Sequence, residues 1–329
     1  MPSMTGLPPF GWHAVLTSWH LRPGWLVAGL ILLVVYGAAV RAARRRGRPV
    51  HPVRAVCWVV GVVLMVLTVS SAFDIYAMSV FWVHMIEHLL LIMLVPAFLV
   101  LGSPLATIGA ALGDGARARY LAALRSSPVA GLTSPLTGLA VYTMVIVGTH
   151  LTSFMDQMVM HTWLMSAEQI LYVVAGWLLM LTLIGGEPIR WELPYLFRIG
   201  LILVGMTPDT IVGIVLMQTE SNPWPMMFSM HPAWAPDPIS DVQTGGALMW
   251  AAGDGLMMCL ALGVMVALLS GDGRRAQFLG PWLENVRRST LAEHVASGGG
   301  EQVAADIDPD GEDALAAYNR MLGRLNDHG

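Results

Sequence analysis

His84 and His88 stand four residues apart in the run SVFWVHMIEHLLLIMLVPAFLVLGSP, residues 79–104. On a helix that spacing places both imidazoles on one face, over the same turn, where they can share one metal ion. The other reading of such a pair is polar glue, each ring bonding to a neighbouring helix. HMIEH also has the HxxEH form of an inverted zincin, but it lies inside an apolar run with no hydrophilic catalytic domain around it. Zinc hydrolysis is therefore disfavoured. A haem held by His88 with His150 or His161 as axial ligands is a further possibility, and it leaves the methionine pattern below unexplained.

Further polar residues stand in apolar surroundings: Glu87, His150, His161, Glu168, Gln169, Asp209 and Asp254. Such groups are costly in hydrocarbon and mark function or close helix contacts. Two stretches set methionine beside histidine. FMDQMVMH holds Met155, Met158, Met160 and His161, and NPWPMMFSMHPAW holds Met226, Met227, Met230 and His231. Thioethers are soft donors that suit Cu(I), although methionine is also a common apolar filler. The candidate metal set is His84, His88, His150, His161, Glu168, Asp254, Met160 and His231, with two to four ligands expected and Cu(I) favoured over Zn(II).

The elements that must position these groups are membrane helices. The chain has 329 residues, 55% of them hydrophobic and only 12% charged, with a mean hydropathy of +0.62. Soluble domains carry about 25% charged residues. Crossing ~30 Å of hydrocarbon takes about 20 apolar residues. Seven stretches qualify: 24–43, 53–73, 78–101, 129–151, 161–184, 195–217 and 244–270. The expected fold is all-α, a polytopic membrane helix bundle with seven transmembrane helices. All 18 basic residues are arginine, and 17 of them fall on one side of those spans, with Arg22 alone on the other. The positive-inside rule then sets the N-terminus outside and the C-terminus in the cytoplasm. On that topology the polar residues gather within about 15 Å of the outer boundary, and no arginine joins them.

The domain reading is an outer segment over 1–23, the seven-helix domain over 24–270, and a cytoplasmic tail over 271–329 with one short amphipathic helix near its end. The connection 102–128 is expected to lie on the membrane surface. MPSMTGLPPFGWH has no basic stretch ahead of an apolar one, so no cleavable signal peptide is expected. A net charge of -4 gives no nucleic-acid footprint, and two cysteines, Cys57 and Cys259, give no disulfide framework.

HMIEHLLLIMLVPAFLVLGSP resembles the signature of the CtaG family of cytochrome c oxidase (caa3-type) assembly factors. The resemblance rests on His84, Met85, His88, Leu89, Leu90, Leu91, Pro96, Leu101, Gly102 and Pro104. It continues through THLTSFMDQMVMHTWLMSAEQILYVVAGWLLMLTLIGGEP at His150, His161 and Glu168, and through DVQTGGALMWAAGDGLM at Asp241, Gln243, Gly245, Gly246 and Trp250. It covers about residues 20–270. It implies a multi-pass protein of the bacterial plasma membrane that helps to build the copper-containing oxidase, with oxidase subunits and lipid as partners and no catalysis of its own. Copper would be the cargo. In two places the chain departs from the family pattern. Gln169 stands where the family often has His, and Glu87 stands where Gln is more usual, so that a carboxylate would compensate for a lost imidazole. Two other classes stay open: a transporter that moves copper inward past Glu168, Asp209 and Asp254, and a structural accessory subunit of the oxidase. Oligomeric state is left open.

Overall fold

A computed structural model describes residues 7–269. The chain divides into two units, Met1–Leu262 and Gly263–Gly329, and the described part of the second is the end of one helix. The amphipathic helix expected in the tail lies outside the described residues.

All regular structure among the described residues is helical. The order is α1 Trp12–Thr17, α2 Pro23–Arg45, α3 Pro52–Thr68, α4 Ala72–Ala77, α5 Phe81–Leu89, a π turn Leu90–Leu94, and α6 Val95–Leu101. Then follow α7 Pro104–Ala111, α8 Asp114–Leu124, α9 Ser127–Leu132, α10 Pro135–His150, α11 Phe154–Met160 and α12 Thr162–Ile184. The series ends with α13 Tyr195–Met217, α14 Pro225–Phe228 and α15 Pro238–Leu269. Local chemistry sets these starts. Proline in the first turn of α2, α3, α7, α9, α10 and α14 has its φ fixed for the helix and lacks only an N–H that would be unpaired there. Ser134 caps α10 by accepting from Thr137 N at 3.1 Å.

Five helical segments are long and apolar enough to cross a membrane: Pro23–Arg45, Phe81–Ala111, Trp163–Ile184, Tyr195–Met217 and Pro238–Leu269. A sixth is counted if α10 and α11, bent by 70° at their junction, act as one. The expected span 53–73 is shorter, because α3 ends at Thr68 after 17 residues and Ser71 opens α4. The expected span 129–151 loses its start to α9, and α10 proper has 16 residues. The connection 102–128 forms α7, α8 and the turn into α9, and α8 has no buried residue. Glu187, just beyond α12, holds α7 in place by accepting from Leu105 N at 3.1 Å and Ala106 N at 2.8 Å.

The Phe81–Ala111 and Trp163–Ile184 segments form the centre, each 61% buried in its most apolar stretch against 22% for α2. Leu30, Ile31, Val34 and Val35 of α2 are exposed, a surface that lipid tolerates as well as protein. The break between α5 and α6 has an identifiable cause. Pro96 offers no N–H to the carbonyl of Ile92 four residues back, and the helix widens to a π turn there. Gly176 of α12 sits against that carbonyl, so closely that a Cβ would lie 1.9 Å from Ile92 O. Absence of a side chain at residue 176 therefore lets the two central segments touch.

Candidate metal centre

α5 brings His84 and His88, and α12 brings Glu168. The α5 N-terminus is pinned by Asp241 of α15, whose carboxylate accepts from Phe81 N at 2.8 Å and Trp82 N at 2.9 Å. That satisfies two of the free N–H groups at a helix start. At the other end, the Gly176–Ile92 approach fixes α12 against α5 and its π turn. Glu168, two turns before Gly176, then faces the histidine pair.

His84 Nε2 is 3.9 Å from Glu168 Oε2, and His88 Nε2 is 3.4 Å from Glu168 Oε1. The two imidazole centroids are 4.0 Å apart. One donor atom from each of the three residues lies within 4.8 Å of the other two. A tetrahedral ion about 2.1 Å from each ligand sets its donors about 3.4 Å apart, so the spacing here is somewhat more open than a bound ion would hold it. All three residues are buried, with Glu168 only 2% exposed. Both nitrogens of His84, both of His88, and Glu168 Oε1 have no hydrogen-bond partner among the described residues. Buried polar atoms are normally paired. Two imidazoles and a carboxylate whose donors converge unpaired suit a transition-metal cation.

His150, at the end of α10, stands beside this group. Its ring is perpendicular to that of His88, with centroids 5.2 Å apart. His150 Nδ1 lies 3.0 Å from Ile146 O. Donation of Nδ1–H to that carbonyl leaves the lone pair on Nε2, which is buried and unpaired. Tyr172, one turn after Glu168, packs 3.9 Å from the His88 ring and shares a 2.7 Å hydrogen bond with Thr149. Above, Phe81 lies 6.2 Å from both His84 and His150 and stacks at 4.9 Å on Trp224, which is fully buried.

The other expected ligands stand elsewhere. His161 and Met160 are exposed at the α11–α12 junction, at the end of a short helix that buries Met155 and Met158 instead. His231 is held by two backbone carbonyls, Ser79 O at 2.9 Å and Pro236 O at 2.6 Å, and anchors its loop. Asp254 accepts from Thr210 Oγ1 at 2.9 Å, and Asp209 accepts from the Tyr142 hydroxyl. Both are helix–helix bonds, outside the His84–His88–Glu168 group.

Glu87 and Gln169 form a second network. Gln169 Nε2 donates to Glu87 Oε1 at 2.6 Å and to Asp74 Oδ1 at 2.8 Å, and Arg22 pairs with Asp74 at 2.8 Å. Arg22 also donates to Ser166 Oγ and Met165 Sδ, each at 3.3 Å. Two expectations change here. Glu87 turns to the amide rather than to the imidazoles, and an arginine does reach the polar region. It stands at the N-cap of α2, and nothing in its sequence surroundings marks its reach to Met165 and Ser166 of α12. Of the residues overlooked, Tyr172 had a signal in its spacing of four from Glu168, whereas Phe81 and Trp224 had none beyond being aromatic.

Sequence comparison adds relatives to this geometry. An uncharacterized protein of Mycobacterium bovis and one of Mycobacterium tuberculosis are each 31% identical to the chain over 320 residues, 95% of this chain and 45% of theirs. An uncharacterized protein of Mycobacterium leprae is 30% identical over 318 residues, 94% of this chain and 45% of its own. The chain thus spans less than half the length of these curated relatives. No solved structure matches it. Residues 34–270 match the cytochrome c oxidase caa3 assembly factor family, which includes most of the helical region and all three residues of the buried group, and the chain belongs to that family.

Proposed function

We propose that the chain handles copper for oxidase assembly: it binds Cu(I) as cargo between His84, His88 and Glu168 and passes it to a cytochrome c oxidase subunit within the membrane. One observation carries this reading, the convergence of unpaired, buried imidazole nitrogens and a carboxylate oxygen. Imidazole suits copper, and one carboxylate offsets the cation's charge where the low dielectric makes an unpaired ion costly. In this reading α3 and the α10–α11 pair complete seven crossings, and the arginine-rich connections face the cytoplasm of a bacterial plasma membrane. The group then lies in the outer half, at a depth a soluble donor does not reach. The chain makes and breaks no substrate bonds of its own.

Copper analysis of the purified full chain beside a His84→Ala/His88→Ala variant tests the proposal. Wild type should hold stoichiometric copper, and the variant's affinity should fall at least about tenfold. Wild type without copper, or a fully metallated oxidase assembled with the double variant, refutes it. Copper uptake into proteoliposomes would replace assembly with transport.

A further inference from the structure

Beside the His84–His88–Glu168 group lies a cavity of about 10 Å³, whose wall includes Met85, His88, Ile146, His150, Asp209 and Met249. A space of that size takes about one water molecule or one ion. Its polar wall is unusual. His150 Nε2 and both His88 nitrogens are buried without a partner among the described residues. Two methionines also line it, Met85 at 1% and Met249 at 4% exposure. The α15 backbone comes close enough to deliver the second of them. A Cβ on Gly245 would lie 2.4 Å from Phe81 Cδ1 and 3.1 Å from Met85 Cγ. Met249 is one turn further along the same face. Asp209, on the wall, is already engaged by the Tyr142 hydroxyl.

The donor chemistry differs from that of the first group. His84, His88 and Glu168 include a hard carboxylate, which Zn(II) also accepts. Imidazole with thioether is a soft set that selects Cu(I). Thioether sulfur is also a poor hydrogen-bond acceptor, so two methionines make a poor wall for a buried water.

We propose that this cavity is a second cation position, specific for Cu(I), formed by His150 Nε2 with the sulfurs of Met85 and Met249, and sharing His88 with the first. The inference rests on the copper reading above. Passage between the two positions is ligand exchange: copper keeps His88, its bonds to His150 Nε2 and to the Met85 and Met249 sulfurs form, and its bonds to Glu168 and His84 break. Copper stays Cu(I), and no electron moves. No proton moves at His150 in the tautomer that donates Nδ1–H to Ile146 O, since its Nε2 lone pair is then free.

X-ray absorption at the copper edge of the Cu(I)-loaded full chain, with Cu(I) and Zn(II) affinities by competition, tests this for wild type and for Met85→Leu/Met249→Leu. Leucine keeps the volume nearly constant. Wild type should show sulfur in the first shell. The double variant should lose it, bind Cu(I) at least about tenfold more weakly, and keep its Zn(II) affinity. A wild-type shell of nitrogen and oxygen alone, or unchanged Cu(I) affinity in the variant, overturns the second position and leaves the first intact. Wild type that takes up no copper overturns both. If the double variant does not fold, the wild-type sulfur shell alone decides.

Discussion

Gly176→Ala is the most direct test of how the two central segments are held together. The added Cβ would stand 1.9 Å from Ile92 O, 2.7 Å from Ile92 C and 2.7 Å from Pro96 Cγ. Ordinary contact begins near 3.4 Å, so α12 and the π turn must separate by about 1.5 Å. Two of the atoms met are backbone, and Pro96 is a ring, so none can swing aside. Overpacking of this kind costs about 1–3 kcal/mol, and the unyielding neighbours put the value at the upper end. Glu168 is two turns away on the same rigid helix and moves with it. Metal bonds tolerate errors of only about 0.2 Å, so metal affinity should fall together with stability. Thermal unfolding in detergent and metal titration read the two effects. Gly200→Ala on α13 is the control, since a Cβ there meets nothing within 4 Å. It should shift stability by no more than about 1 kcal/mol. If Gly176→Ala matched Gly200→Ala in both assays, the close approach would not be what holds the site.

Two further perturbations probe elements around the centre. Burial pushes the Glu187 carboxyl up to about 7, against the two N–H groups it accepts from. Its folded value is above its unfolded one, so its contribution to stability is complete below about pH 4.3 and is lost as pH rises through about 7, a change of about 4 kcal/mol. Melting temperature should therefore decline between about pH 4.3 and pH 7 more steeply in wild type than in Glu187→Gln; equal slopes refute this. Asp241→Asn keeps the size of the α5 cap but turns an NH2 toward one of the two backbone N–H groups. Loss of that bond should cost about 1–3 kcal/mol and weaken metal binding at His84, whereas unchanged melting and titration curves would show that the cap does not position α5.

The three residues that meet were legible because their signal is local. His84 and His88 share a face by helical period, and Glu168 falls at a matching depth in an apolar run. The residues that stay apart do so for a tertiary reason. His161 and Met160 were placed by assuming an unbroken helix up to residue 151 and another from residue 161, whereas α11 intervenes after a 70° bend, burying Met155 and Met158 and leaving Met160 and His161 exposed at its end. His231 sits beside methionines in sequence, yet two carbonyls claim its ring. Helix lengths escape the apolar runs for the same reason: α3 and α10 are shorter than their hydrophobic stretches, because Ser71 and Ser134 open new helices within them. Gly176, the residue on which the central contact turns, reads in sequence as one small residue among many.

The Phe81–Trp224 stack has a bearing on time as well as on place. Trp224 is tied by its indole N–H to Thr152 O at 2.9 Å, and the neighbouring N–H groups of Met226 and Met227 are held by Asp156 at 3.1 and 3.3 Å. On the copper reading proposed above, an ion beneath this roof would exchange on the clock of loop unlatching rather than on that of bond rupture. Residence and tightness of binding are then governed by different parts of the chain, and each can be tuned with the other left alone.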